Sequence, residues 1–275
     1  LIGLKGGGSF GGDIEMVTQL FKPEGRPPFP VVVFSHGRAA DAIDRAKLVR
    51  PVPTSQVRYW LSKGFAVVAP IRPGYGKTGG ADAENSGTSF DASGQCRSRP
   101  VFSTTADAGK KAVRATLEWL RSQAWADSHK VILVGQSVGG LVTVASGAEH
   151  FEGVLGYINF AGGSGGNPAR SPGRSCGPEQ LTALYAEAGK ATTVPNLWIY
   201  AENDQYWGPE VPKEWHAAFA AGGSPTRFVH APPVPDGNGH GLSGHAQSLW
   251  APYLEPFISS LRITPAAETP AATAP

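Results

Sequence analysis

One stretch of this 275-residue chain carries a side chain set up for nucleophilic chemistry. Residues 131–140 read VILVGQSVGG, which contains the pattern G-x-S-x-G as Gly135, Gln136, Ser137, Val138 and Gly139. The four branched aliphatics before it predict a buried strand, and the small residues after Gly140 predict a helix. A serine on a sharp strand-to-helix turn holds its hydroxyl clear of the backbone, ready to attack a carbonyl carbon. The pattern alone also arises by chance, and a structural serine in a tight turn is the plain alternative. A serine hydroxyl is a weak nucleophile. It needs a neighbouring base, and the base needs a carboxylate to orient it. After Ser137 the chain offers His150, His216, His230, His240 and His245, and only two aspartates, Asp204 and Asp236.

The elements that must position these groups follow from periodicity. Short apolar runs at residues 31–35, 65–70, 131–135, 153–160, 196–201 and 226–231 predict strands, with an antiparallel edge strand over 15–21. Helical spacing predicts helices over 55–63, 104–123, 138–148, 178–188, 209–221 and 243–261. Such alternation implies a mostly parallel sheet covered by helices on both faces. Two stretches, 72–103 and 162–177, are long, irregular and rich in Gly and Ser, as mobile or functional loops are. Residues 1–263 are expected to form one catalytic domain. Residues 264–275, TPAAETPAATAP, have no aromatic or branched aliphatic residue to bury and are expected to be a disordered tail.

Several motifs together resemble the α/β-hydrolase superfamily, in its dienelactone-hydrolase-like and prolyl-oligopeptidase-like branch. They are Ser35-His36-Gly37, Arg72-Pro-Gly-Tyr-Gly76, Gly135–Gly139, Tyr200-Ala-Glu-Asn-Asp204 and Gly239-His240-Gly241, and they cover about residues 14–262 in the family's order. The resemblance implies a mostly parallel sheet with helices on both faces and irregular loops over a cleft. It also implies serine hydrolase chemistry with a Ser, then Asp or Glu, then His order. His150 ends the helix that starts at Ser137, His216 lies in a helix and His230 in a strand. His240 lies in a glycine-rich loop after the last strand, so it is the expected base, with His245 the alternative. Asp204 follows a strand and is the expected acid, with Glu202 a minor alternative and Asp236 read as a turn residue. The oxyanion donors implied are the backbone N–H groups of Val138 and Arg38. His36 is read as a structural histidine that fixes its loop.

Tyr75, Phe160, Tyr206 and Trp207 are candidates to line a substrate pocket, although Tyr206 and Trp207 could equally pack against the helix that follows them. The expected substrate is a small-molecule carboxylic ester. A small peptidase or amidase with the same residues is the alternative, and a non-catalytic binding protein on this scaffold comes after both. Polyester hydrolases are a minor idea, because Gln136 stands where they carry a ring. Cys96 and Cys176 each fall in one irregular loop and are expected to form a disulfide over the cleft, two free thiols being the alternative. With Leu1 as the first residue, these features predict a secreted or periplasmic enzyme whose signal peptide has been removed.

Composition excludes other classes. With 24 basic and 22 acidic residues and no basic block, nothing suggests a nucleic-acid partner. No apolar run reaches the roughly 18–20 residues of a membrane span. Residues 74–78, GYGKT, superficially resemble a phosphate loop, but Ile71 stands where its first glycine is required. No H-E-x-x-H or C-x-x-C appears, so neither a metal nor another cofactor is expected.

Overall fold

The computed structural model describes residues 1–8, 11–235 and 237–263. Asp236 and the tail expected over 264–275 lie outside the described residues. The chain opens with an antiparallel pair, β1 (Ile2–Leu4) and β2 (Ile14–Met16). The main sheet then takes β3 (Thr18–Phe21), β4 (Phe29–Ser35), β5 (Ala66–Pro70), β6 (Ala126–Gln136) and β7 (Val154–Phe160). It is completed by β10 (Asn196–Ala201) and β11 (Thr226–Ala231). Between β7 and β10 lies a small ribbon, β8 (Gly166–Asn167) with β9 (Ser171–Ser175), inside a stretch expected to be irregular.

The seven main strands are ordered β11-β10-β7-β6-β4-β5-β3, and only β3 runs antiparallel, at the edge. From β4 the chain crosses to β5 on one side. From β6 it crosses to β7 on the other. The carboxyl ends of β4 and β6 therefore flank the point where the winding reverses, and a crevice opens there in an open α/β sheet. Ser35 and Gly135 are paired at that point, so Ser137 lies directly beside the chain leaving β4.

Eight helices cover the sheet among the described residues: α1 (Ala42–Ala46), α2 (Thr54–Ser62), α3 (Phe102–Arg121), α4 (Val138–Ala145), α5 (Pro178–Ala191), α6 (Val211–Ala220), α7 (Leu242–His245) and α8 (Gln247–Ser260). The central strands β4, β5, β7 and β10 and the second half of β6 are largely apolar because both faces are covered. One face, with Val32, Phe34, Ile132, Val134, Ile158 and Phe160, packs on Trp60 of α2 and on Trp250 and Leu254 of α8. The other face, with Val31, Val33, Val131, Leu133 and Tyr157, packs on α3 and α4. Its continuation, Trp198 and Tyr200, packs on Tyr185 of α5 and on Trp215 and Phe219 of α6. The single helix expected over 243–261 is broken at Ala246, whose backbone (φ −126°, ψ 57°) is not helical.

Cys96 and Cys176 are bonded, with their Cα atoms 5.1 Å apart. The bridge ties the loop between β5 and α3 to the end of β9. Closing a loop of 80 residues in the unfolded chain stabilises the native state by about 2–4 kcal/mol. The Cys96→Ser, Cys176→Ser double variant is therefore expected to lose about that much unfolding free energy, with its urea midpoint lowered. An unchanged midpoint would show that the bridge adds nothing to stability.

Candidate active site

The turn between β6 and α4 is strained by design of its sequence. Ser137 has φ 57° and ψ −124°, a region that costs a non-glycine residue about 1–3 kcal/mol. Two glycines make the turn possible. A Cβ on Gly139 would overlap the Ser35 carbonyl, and one on Gly135 would overlap the Gly139 carbonyl. Backbone bonds hold the strained residue in place. The Ser137 N–H donates to the Phe160 carbonyl (3.0 Å), and the Ser137 carbonyl accepts from Gly163 (3.1 Å) and Leu141 (3.0 Å). Val138 begins α4, and the first N–H groups of a helix have no acceptor within the helix.

Asp204 and His240 are brought together from 36 residues apart. His240 Nδ1 lies 3.0 Å from Asp204 Oδ2. The other carboxylate oxygen accepts the N–H of Tyr206 (2.7 Å) and of Trp207 (3.3 Å), so Asp204 is buried but fully engaged. Asn203 stitches the two loops together. Its carbonyl accepts the Gly239 N–H (3.1 Å), and its amide donates to the Val234 carbonyl (3.0 Å). Asn238 Oδ1 accepts the His240 N–H (3.0 Å) and the Gln205 N–H (2.9 Å). The Gln136 amide donates to the His240 carbonyl (3.0 Å), latching the histidine loop to the residue before Ser137. Tyr206 stacks on the His240 ring, centroids 3.9 Å apart, and Trp207 meets it edge-on at 5.4 Å. Ser137, His240, Gln136 and Tyr206 line one cavity of about 660 Å³. His245 lies on the same cavity, exposed at the end of α7, and Glu202 is exposed.

The chain leaving β4 supplies the opposite wall. Gly37 approaches Gln136 and Ser137 closely enough that a Cβ there would sit 3.2 Å from the Ser137 Cβ. His36 Nε2 accepts the Arg72 N–H (3.1 Å), so its Nδ1 carries the proton and donates to the Gly37 carbonyl (2.7 Å). Burial, and then the Arg72 charge, push the His36 pKa well down and keep the ring neutral. In the unfolded chain a histidine titrates near about 6.5. The His36 contribution is thus present above that value and is lost as the pH falls below it toward the depressed native pKa. Urea titrations at pH 7.5 and 5.5 are expected to show a smaller stability drop in His36→Gln than in the parent. Equal drops would exonerate His36.

The side chain of Arg38 does not enter the cleft freely. It makes two bonds to Asp82, both 2.6 Å, and one to the Tyr75 hydroxyl, 3.3 Å. Arg45 reaches the same aspartate at 3.1 Å. Beneath them, fully buried Arg72 is paired with Glu84, which also accepts the Tyr75 hydroxyl at 2.6 Å. The loop expected to be irregular is therefore anchored by ions and by the disulfide.

The structure corrects two of the expected pocket residues. Tyr75 is buried inside this ionic network, and its ring packs edge-on against His36 at 4.6 Å. Phe160 points to the α2–α8 face, 5.7 Å from Trp250, because it shares its side of the sheet with Ile158. Tyr206 and Trp207 do line a cleft of about 380 Å³ beside Ser137, with Arg38, Val138, Phe90 and Arg170. Trp207 is also packed as a core residue, its indole N–H donating to the Ala161 carbonyl (2.8 Å). The contacts made by Gln136, Asn203 and Asn238 are not announced by sequence pattern. Only the last carries a local signal, an Asn capping the short turn Gly239–Gly241. Among the described residues there is no cluster of three or more His, Cys, Asp or Glu that could hold a metal.

Sheet order, winding reversal and strained serine turn together define the α/β-hydrolase fold. No protein-family model matches the sequence, and no curated protein matches it. Solved structures do match. Est1E from Butyrivibrio proteoclasticus with ferulic acid bound is 14% identical, with a TM-score of 0.61 over 90% of this chain and 96% of that one. An acylaminoacyl peptidase from Pyrococcus horikoshii is 17% identical, with a TM-score of 0.63 over 94% of this chain, but this chain spans only 41% of its length. A putative dienelactone hydrolase from Klebsiella pneumoniae is 12% identical, with a TM-score of 0.58 over 93% and 95% of the two chains. At these identities the likeness is one of fold.

Proposed function

We propose that the protein is a serine hydrolase that cleaves carboxylic esters through an acyl-enzyme, with Ser137 as nucleophile, His240 as base and Asp204 as the orienting acid. The observation that carries this reading is Ser137 in a strained turn, facing one cavity with a histidine that a buried aspartate holds by Nδ1. That bond leaves Nε2 for the serine. As Ser137 Oγ bonds to the ester carbonyl carbon, its proton passes to Nε2 and the carbonyl oxygen takes up the charge. The backbone N–H groups of Val138 and Arg38 would hold that oxyanion. The C–O bond to the alcohol then breaks as the imidazolium protonates the leaving oxygen. Water, deprotonated by His240, releases the acid by the same steps in reverse. The fold likeness to Est1E and to the peptidase supports a hydrolase. The Cys96–Cys176 bridge supports an oxidising compartment, secreted or periplasmic.

The test is a fluorophosphonate probe together with p-nitrophenyl esters and peptide anilides. Labelling of the parent and turnover of esters support the reading. Turnover of anilides at comparable rates would favour a small peptidase or amidase, and no labelling of the parent would remove both.

A further inference from the structure

We infer that the acyl half of the substrate carries a carboxylate, held by Arg170 at the rim of the cleft beneath the disulfide-tied loops. This rests on the serine-hydrolase reading. In the tetrahedral intermediate the carbon carries four groups: Ser137 Oγ, the oxyanion, the leaving oxygen and the acyl chain. The leaving oxygen must receive its proton from His240. It therefore leaves on the side of the cavity of about 660 Å³, which His240 lines. The acyl chain is left with the cleft of about 380 Å³ on the other side of Ser137, which Val138 lines and His240 does not.

The chemistry of that second cleft is polar. It is lined by the small residues Gly163, Ser164, Gly165 and Gly166 and by Asn85, Thr88, Ser89 and Asn167. Among the described residues no carboxylate side chain lines it, and two cations, Arg38 and Arg170, do. Arg38 is already matched by Asp82. Arg170 is exposed, and among the described residues its guanidinium makes one 3.4 Å bond, to the Asp91 carbonyl. A neutral carbonyl leaves the charge of Arg170 to be met by the ligand, and a guanidinium binds a carboxylate through paired charge-assisted bonds. Its place is not that of a free loop. A Cβ on Gly94 would overlap the Arg170 carbonyl, so the two loops interlock there, close to the Cys96–Cys176 bridge. The site thus selects half-esters of dicarboxylic acids, with the free carboxylate on the acyl side.

The test compares monomethyl esters of succinic, glutaric and adipic acids with methyl butanoate, pentanoate and hexanoate, following released acid by titration. For the best chain length, the parent is expected to favour the anionic ester by about fivefold in kcat/KM, a modest ratio because the arginine is exposed. That ratio is expected to fall toward one in Arg170→Gln, to fall below one in Arg170→Glu, and to shrink in the parent at high salt. A preference for neutral esters at every length, or an anion preference untouched in Arg170→Gln, overturns the inference while leaving the hydrolase reading intact. A parent that neither hydrolyses any ester nor takes a fluorophosphonate label overturns both.

Discussion

Ser137→Ala is expected to lower kcat for any ester substrate by roughly 10⁴–10⁶-fold and to abolish fluorophosphonate labelling. The hydroxyl is the only group in the turn that can form the acyl bond, and neither Gln136 nor Val138 can replace it. Folding is expected to be unaffected, since the hydrogen bonds that hold Ser137 in its turn use its backbone N–H and carbonyl. A structural role for the serine predicts the opposite pair of results, lost stability with retained turnover. Ser137→Gly separates them further. It also removes the nucleophile, but glycine adopts a φ of 57° without strain, so the variant is expected to unfold at higher temperature than Ser137→Ala. Asp204→Asn completes the set. It keeps the shape but lets the ring settle in the wrong tautomer, which is expected to lower kcat by about 10⁴-fold. A Ser137→Ala enzyme with parental turnover would end the nucleophilic mechanism.

Glu84→Ala is expected to cost about 3–5 kcal/mol of stability. Glu84 and Arg72 are each 2% exposed, and the carboxylate also accepts the Tyr75 hydroxyl. Removing it leaves the Arg72 guanidinium charged and buried without its counterion. A guanidinium keeps its proton in proteins even when buried, so Arg72 cannot escape by becoming neutral. The damage should reach the cleft. Arg72 donates its main-chain N–H to His36 and its guanidinium to the His36 carbonyl (2.8 Å), and His36 leads into Gly37 and Arg38. Loss of kcat is therefore expected alongside loss of stability. Chemical unfolding of Glu84→Ala, Arg72→Met and the double variant checks the argument. The double variant is expected to be more stable than Glu84→Ala alone, because it removes the orphaned charge. Additive losses would show that the two side chains act separately.

Much of the fold and part of the candidate site are legible in local pattern. Apolar runs bounded by Gly, Pro or Asp mark the main strands to within a few residues, save for the polar lead-in to β6 and the short edge strand, because a strand buried on both faces tolerates little else. The serine turn is legible because only glycine fits at Gly135 and Gly139, where backbone passes backbone. The loop after β11 is marked by its glycines, and they led to His240. The interior of the long loops is a different matter. Arg38 with Asp82 and Arg72 with Glu84 are pairs with no periodicity to announce them, and the β8–β9 ribbon has too few residues to show alternation.

The pocket shows the division most clearly. Its aromatic lining could not be read from proximity in sequence. Phe160 ends a strand beside the cleft yet serves the opposite face, since alternation along β7 sends its ring to Trp250. Tyr75 is buried by an acid and an arginine, whereas Tyr206 lies against His240. By itself the sequence determined the strand and helix order, the serine turn and the small set of groups able to serve it. Those depend on hydrogen-bond geometry and sterics over a few neighbouring residues. Only the tertiary structure decided which carboxylate meets which histidine, which aromatic ring faces the cleft and which charges are spent in pairing. Those outcomes depend on how distant segments share a face, and a face is a property of the packed sheet.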